Sequence, residues 1–206
     1  MKNFIVLAIG TVLATTAWAQ RNPVGEKAHY QIDTNRARTS GVVRNGTVDA
    51  TVESESETGF SVKIDYDINV VLQGRQQGSQ ALEVPKDFFT PAFLIGLRER
   101  GTYVSEQFKV KHEGYADAAN MDGHRYAHCD KLKIYDIKTE QDFWAVELLA
   151  AAGDAQSYSG DAPSPIQDLI INVMVFEGVP VLGGVKIDMA GKYNGMNVKV
   201  GADYMP

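Results

Sequence analysis

The stretch Phe60-Ser61-Val62-Lys63-Ile64-Asp65-Tyr66-Asp67-Ile68-Asn69-Val70-Val71-Leu72 decides the fold class. Phe60, Val62, Ile64, Tyr66, Ile68, Val70 and Leu72 fall on one side of an extended chain. Ser61, Lys63, Asp65, Asp67 and Asn69 fall on the other, with Val71 the one exception. A strict period of two predicts a strand with one buried and one wet face. At about 3.3 Å per residue the strand would run about 43 Å. That is about twice the usual length, so it must curve to stay within a compact domain.

The same alternation recurs outward from this strand. Phe108, Val110 and His112 alternate with Gln107, Lys109 and Lys111, and Leu132 and Ile134 with Lys131 and Lys133. Val185, Ile187 and Met189 alternate with Lys186 and Asp188. Met196, Val198, Val200, Ala202 and Tyr204 alternate with Asn197, Lys199, Gly201 and Asp203. One-sided alternation predicts antiparallel rather than parallel sheet. Asn45-Gly46 and Asn194-Gly195 each sit between such segments and predict tight hairpins, because both residues accept the positive φ of a type I′ turn. Between Ile166 and Phe176 helical and extended spacings both fit, and the β-branched content favours a strand after Asp168.

Helical signals are few. Pro85 to Arg100 carries Phe88, Phe89, Ala92, Phe93, Ile95 and Leu97 on one crowded apolar side, interrupted by Pro91 and Gly96, so two short turns fit as well as one helix. Glu140 to Ala152, with Thr139 as cap, is a second candidate. Ser157 to Pro165 reads as a loop by composition. The expected fold is mostly β: a curved antiparallel sheet, an open or half barrel, of about 9–11 strands with one or two short helices as a lid.

The N-terminus predicts a destination. Met1-Lys2-Asn3 is a short positive start, Phe4 to Leu13 an apolar run, and Ala17-Trp18-Ala19 a small-x-small cleavage site. This is the secretory pattern, too short in its apolar part to span a membrane. Residues 1–19 are therefore expected to be a cleaved signal peptide and 20–206 a single β-rich domain, periplasmic or secreted. The chain carries a net charge of −6 with no run of basic residues, which argues against nucleic acid as a partner. No later stretch is long and apolar enough for a transmembrane helix. Cys129 is the only cysteine, so no intrachain disulfide can form, and a buried, inert thiol is expected.

Catalytic signals are thin. No Gly-x-Ser-x-Gly, Walker, Rossmann or His-Glu-x-x-His spacing occurs. His124, His128, Cys129 and Asp130 form the one local cluster of metal-competent residues. On a strand His124 and His128 would lie about 13 Å apart, too far to share a zinc ion. Asp65 and Asp67 read as part of a solvated strand face. No enzyme activity, cofactor or metal is expected.

Gly25-Glu26-Lys27-Ala28-His29-Tyr30, the long central strand, the Gly123…Tyr126…Cys129-Asp130 segment and Val179-Pro180-Val181-Leu182-Gly183-Gly184-Val185-Lys186-Ile187 together resemble bacterial secreted half-barrel proteins. They are similar to the Lol-type periplasmic lipoprotein carriers and their uncharacterised relatives. The resemblance implies a curved sheet and a helical lid around an apolar cavity for acyl chains. No functional residue of that family is matched one for one. The expected function is a non-enzymatic binding protein that holds a lipid or lipoprotein acyl chain against the concave face. The residues expected to line it are Phe60, Val62, Ile64, Tyr66 and Ile68 of the central strand and Phe88, Phe89 and Phe93 of the lid. A small outer-membrane β-barrel or a structural secreted protein are the alternatives; alternating strands suit a barrel, whereas the apolar Pro85–Leu97 segment has no place in one.

Overall fold

A computed structural model of the chain describes residues 23–35, 37–39, 43–70, 74–88, 90–105, 108–137, 167–181, 183–193 and 196–206. Outside these lie residues 1–19, expected to be a signal peptide, Val71 and Leu72, Phe89, the Glu140–Ala152 and Ser157–Pro165 segments, and the Asn194-Gly195 pair.

The described residues form ten strands and one helix: β1 (Lys27–Ile32), β2 (Val43–Glu55), β3 (Gly59–Val70), β4 (Gly74–Pro85), α1 (Pro91–Arg100), β5 (Thr102–Val104), β6 (Lys109–Ala119), β7 (Arg125–Tyr135), β8 (Gln167–Val175), β9 (Gly184–Tyr193) and β10 (Met196–Met205). All ten belong to one open antiparallel sheet in the order β4-β3-β2-β1-β10-β9-β8-β7-β6-β5. Two meanders, β1 to β4 and β5 to β10, meet where the first strand pairs with the last, His29 opposite Met205 and Ile32 opposite Ala202.

The alternation of β3 translates directly into burial. Phe60, Val62, Ile64 and Ile68 are buried, while Ser61, Lys63, Asp65, Asp67 and Asn69 keep contact with solvent. The main core collects the inward rows of β1, β2, β3, β8 and β10 together with Val84, Val110, Leu132, Met189 and, from the helix, Leu94 and Leu97. A single sheet gathers side chains from both its ends into one cluster only by curling, so the curvature expected of the long strand extends to the whole sheet.

Three local expectations are corrected. Asn45-Gly46 is not a turn. Both residues lie inside β2, opposite Asn69 and Ile68 of β3, beside a register shift between Val43 and Asn45. The β2–β3 reversal falls instead at Ser56 to Gly59, where the Ser56 hydroxyl donates to the Gly59 carbonyl at 3.1 Å. Gly46 is required for close approach: a Cβ there would sit 2.7 Å from Cγ2 of Ile68 and 2.8 Å from the Asp67 carbonyl oxygen. Second, Pro85 does not open the helical segment but ends β4. Third, Pro91 does not interrupt the helix but begins it. Thr90 caps α1, its hydroxyl accepting the Phe93 N–H at 3.2 Å, and a proline in the first turn forfeits no intrahelical bond. Gly101 ends α1 in the left-handed region, its N–H donating to the Leu97 carbonyl at 2.8 Å. The second expected hairpin is flanked by the observed pair Met196–Tyr193, which joins β9 and β10 over the two intervening residues.

Candidate functional site

The helix crosses from the β4 end of the sheet to the β5 end and packs against β5 and β6. Its approach brings four aromatic rings together. Phe88 follows β4, Phe93 stands in the first turn of α1, Tyr103 is in β5 and Phe108 precedes β6. Ring centroids lie 5.0 Å apart for Phe88–Phe93, 5.2 Å for Phe88–Phe108 and 5.1 Å for Phe93–Tyr103, in tilted or edge-on arrangements. Such pairs add about 0.5–1.5 kcal/mol each beyond area burial. All four rings are only partly buried, with their inner sides against the main core. They form an aromatic plate over the core where α1 meets β5 and β6.

The expected lining residues divide into two layers. Phe60, Val62, Ile64 and Ile68 are buried within the core, and Tyr66 is partly buried against it, its ring lying across Gly78 of β4. Phe88 and Phe93 belong to the plate above. Phe89 lies outside the described residues. Sequence reasoning identified the two phenylalanines of the lid but missed Tyr103 and Phe108, which join them from a separate part of the chain.

Beneath the C-terminal half of α1 lies a polar group. Asp130 of β7 is almost fully buried. Its carboxylate accepts from Nε and Nη2 of Arg98 at 2.8 and 2.5 Å and hydrogen-bonds Nε2 of His112 at 2.9 Å. Burial works to raise the Asp130 carboxyl, but the bonds from Arg98 and His112 outweigh it and hold the group below the usual carboxylate range. Arg98 lies 5.6 Å from the centroid of Tyr115, and Tyr115 stacks on His128 with centroids 4.2 Å apart. The arrangement ties the helix to β6 and β7. The sequence carries its signal: Asp130 and His112 occupy the parity positions of Leu132 and Val110, so a charge and an imidazole stand in apolar rows.

The histidines of the metal-competent stretch lie apart, in keeping with their separation along a strand. His128 sits against Tyr115, whereas His124 precedes β7 and tilts against Tyr126 at 4.7 Å. Among the described residues no group of three His, Cys, Asp or Glu side chains is placed to hold a metal ion. Cys129 is fully buried in a second, smaller cluster with Tyr126, Val179 and Val185, and burial pushes its thiol upward. Burial of this lone cysteine was expected.

The opposite face of β2, β3 and β4 is polar, as the alternation required. It carries open depressions of about 400 and 320 Å³ lined by residues such as Thr47, Asp67 and Gln77. Arg75 holds Asp67 in a forked pair, with Nε at 2.8 Å, and keeps its carboxyl down at about 2. Comparison with family models, curated proteins and solved structures finds no match to this chain.

Proposed function

We propose that the chain is a non-enzymatic binding protein of the periplasm or the secreted space, which takes up an apolar ligand such as a lipid or acyl chain between the aromatic plate and the concave face of the sheet. One observation carries this: four aromatic rings from four separate places in the chain gather, partly buried, against the core of a curved sheet whose inner row is apolar along β3. Rings of this kind are ordinary in apolar ligand sites, where a few aromatic side chains supply most of the contact. The sheet is open, and along β3 the inner row is apolar and the outer row carries the charges. An outer-membrane barrel needs a closed sheet with the opposite arrangement, so the barrel alternative loses ground. The likeness to Lol-type carriers and the secretory N-terminus point the same way.

The deep row of β3 is covered, so ligand entry requires the plate to move. Displacement of a fluorescent fatty acid tests this directly. Wild-type protein is expected to bind the probe, and Phe93→Ala is expected to weaken binding about tenfold, a difference of about 1.4 kcal/mol. Wild-type protein that binds no probe and carries no lipid in native mass spectrometry after purification from its host removes the carrier. The intact mass of exported protein tests the compartment: a chain beginning at Gln20 is expected, and retention of residues 1–19 contradicts it.

A further inference from the structure

The sheet has two ends of different character. β5 is three residues long, which is one of the ways natural sheets blunt an edge. β4 is twelve residues long and pairs with β3 from Gly59–Pro85 to Val70–Gly74 without a register shift. Its other side has no partner strand among the described residues. Two of the usual protections are missing along it: no proline or lysine occurs between Gly74 and Val84, and no bulge interrupts the β3–β4 ladder.

The phase of the ladder follows from one bond. The Lys86 N–H donates to the Thr58 carbonyl at 3.0 Å. Successive residues of an antiparallel strand direct their backbone groups alternately to one neighbour and to the other. The even-numbered residues of β4 therefore bond β3, and Arg75, Gln77, Ser79, Ala81 and Glu83 turn their N–H and C=O outward. Arg75, Gln77, Ser79 and Ala81 are exposed.

We propose that this edge is a self-pairing surface, on which β4 of a second copy adds antiparallel to β4 of the first about a two-fold axis through Ser79. A two-fold pairing that keeps the outer faces of both sheets on one side joins residues of the same parity. Centring on Ser79 overlaps residues 74–84 of both copies, and it sets Arg75 of each opposite Glu83 of the other. Moving the centre by one residue either shortens the overlap, at Gly78, or keeps its length but takes Pro85, which has no N–H, into the joint, at Gln80. It also places Arg75 across Ala81 or Pro85 and leaves Glu83 across an uncharged residue. Opposite charges directly across a ladder favour pairing. Arg75 already holds Asp67, but a guanidinium has five N–H donors and keeps some for a second acceptor. The five outward residues of each copy supply about ten hydrogen bonds across the joint.

Sedimentation velocity of the full chain tests the proposal. The wild type is expected to dimerise and Ala81→Pro to be monomeric with an unchanged circular dichroism spectrum. The proline removes an outward N–H alone, and edge positions of this kind tolerate it. Arg75→Glu and Glu83→Arg, each alone, set like charges opposite and are expected to weaken the dimer at least tenfold, and the double exchange to restore it. A wild type that stays monomeric at its highest soluble concentration overturns the proposal. So does a folded Ala81→Pro that still dimerises, or a double exchange no tighter than the singles. If Ala81→Pro fails to fold, the three charge variants decide alone.

Discussion

The two meanders that meet at β1 and β10 reach the same architecture by different means. In the first, β1–β2 and β3–β4 pair without a shift, β2–β3 alone carries two, and the charges stay on the outer face, where Lys63 meets Asp65 and Arg75 meets Asp67. In the second, the β6–β7 and β8–β9 ladders each carry two register shifts. All four non-glycine residues with positive φ among the described residues, His128, Asp136, Asp168 and Val181, fall there too. So do the two buried carboxylates, Asp130 and Asp203. Bulges re-aim side chains, and left-handed backbone at ordinary residues persists only where surrounding structure holds it. The first meander is mainly a hydrophobic wall, whereas the second sets the buried Asp130 beside a register shift, within reach of Arg98 and His112.

The sharpest way to break this contrast is to put a charge into the wall. Ile64→Asp buries a carboxylate with no cation within the apolar row of β3, and is expected to cost more than about 4 kcal/mol and leave the chain unfolded by circular dichroism. Lys63→Ala, its neighbour on the outer face, is expected to leave the melting temperature almost unchanged. Equal effects would show that the two faces of β3 are not different environments.

A smaller loss is expected from the irregular half. Asp130→Ala leaves Arg98 and His112 without their shared acceptor and should cost about 3–5 kcal/mol in urea unfolding. The same carboxylate sets a pH dependence. Its folded pKa lies below its unfolded one, so its contribution is complete at neutral pH and is lost as the pH falls from the ordinary carboxylate range through the depressed folded value. Asp130→Asn should therefore flatten the acid limb of the stability profile. An unchanged limb would mean that other carboxylates, such as Asp33, carry it. Smallest is Gly46→Ala in the first meander, where the added methyl meets the Asp67 backbone; about 1–3 kcal/mol is expected. No loss would restore the hairpin that the dipeptide suggested.

Strands were legible wherever apolar residues alternate, as in β3, β9 and β10. β4 was not legible, because Gln76, Gly78 and Gln80 occupy its inward parity and it is extended by virtue of pairing with β3. Asn45-Gly46 misled because the same two residues serve a tight turn and a close strand approach, and only the partner strand distinguishes them. Pro91 misled because a proline that breaks a helix interior is favoured in its first turn. At the candidate site the phenylalanines of one segment could be grouped by spacing. Tyr103 and Phe108 could not be added, nor Arg98 joined to Asp130 thirty-two positions away, because those meetings are made by topology.

The joint between β1 and β10 bears on how the chain acquires its shape. His29 and Met205 are partners although nearly the whole chain separates them. A contact of such sequence separation carries a large loop-closure entropy, and sheets that depend on contacts of this kind fold slowly. Each meander can zip from its own hairpins, but neither can dock until the final strand has left the ribosome. A nascent chain halted before Met196 has no partner for the edge of β1 that β10 bonds, and its two meanders stay unjoined.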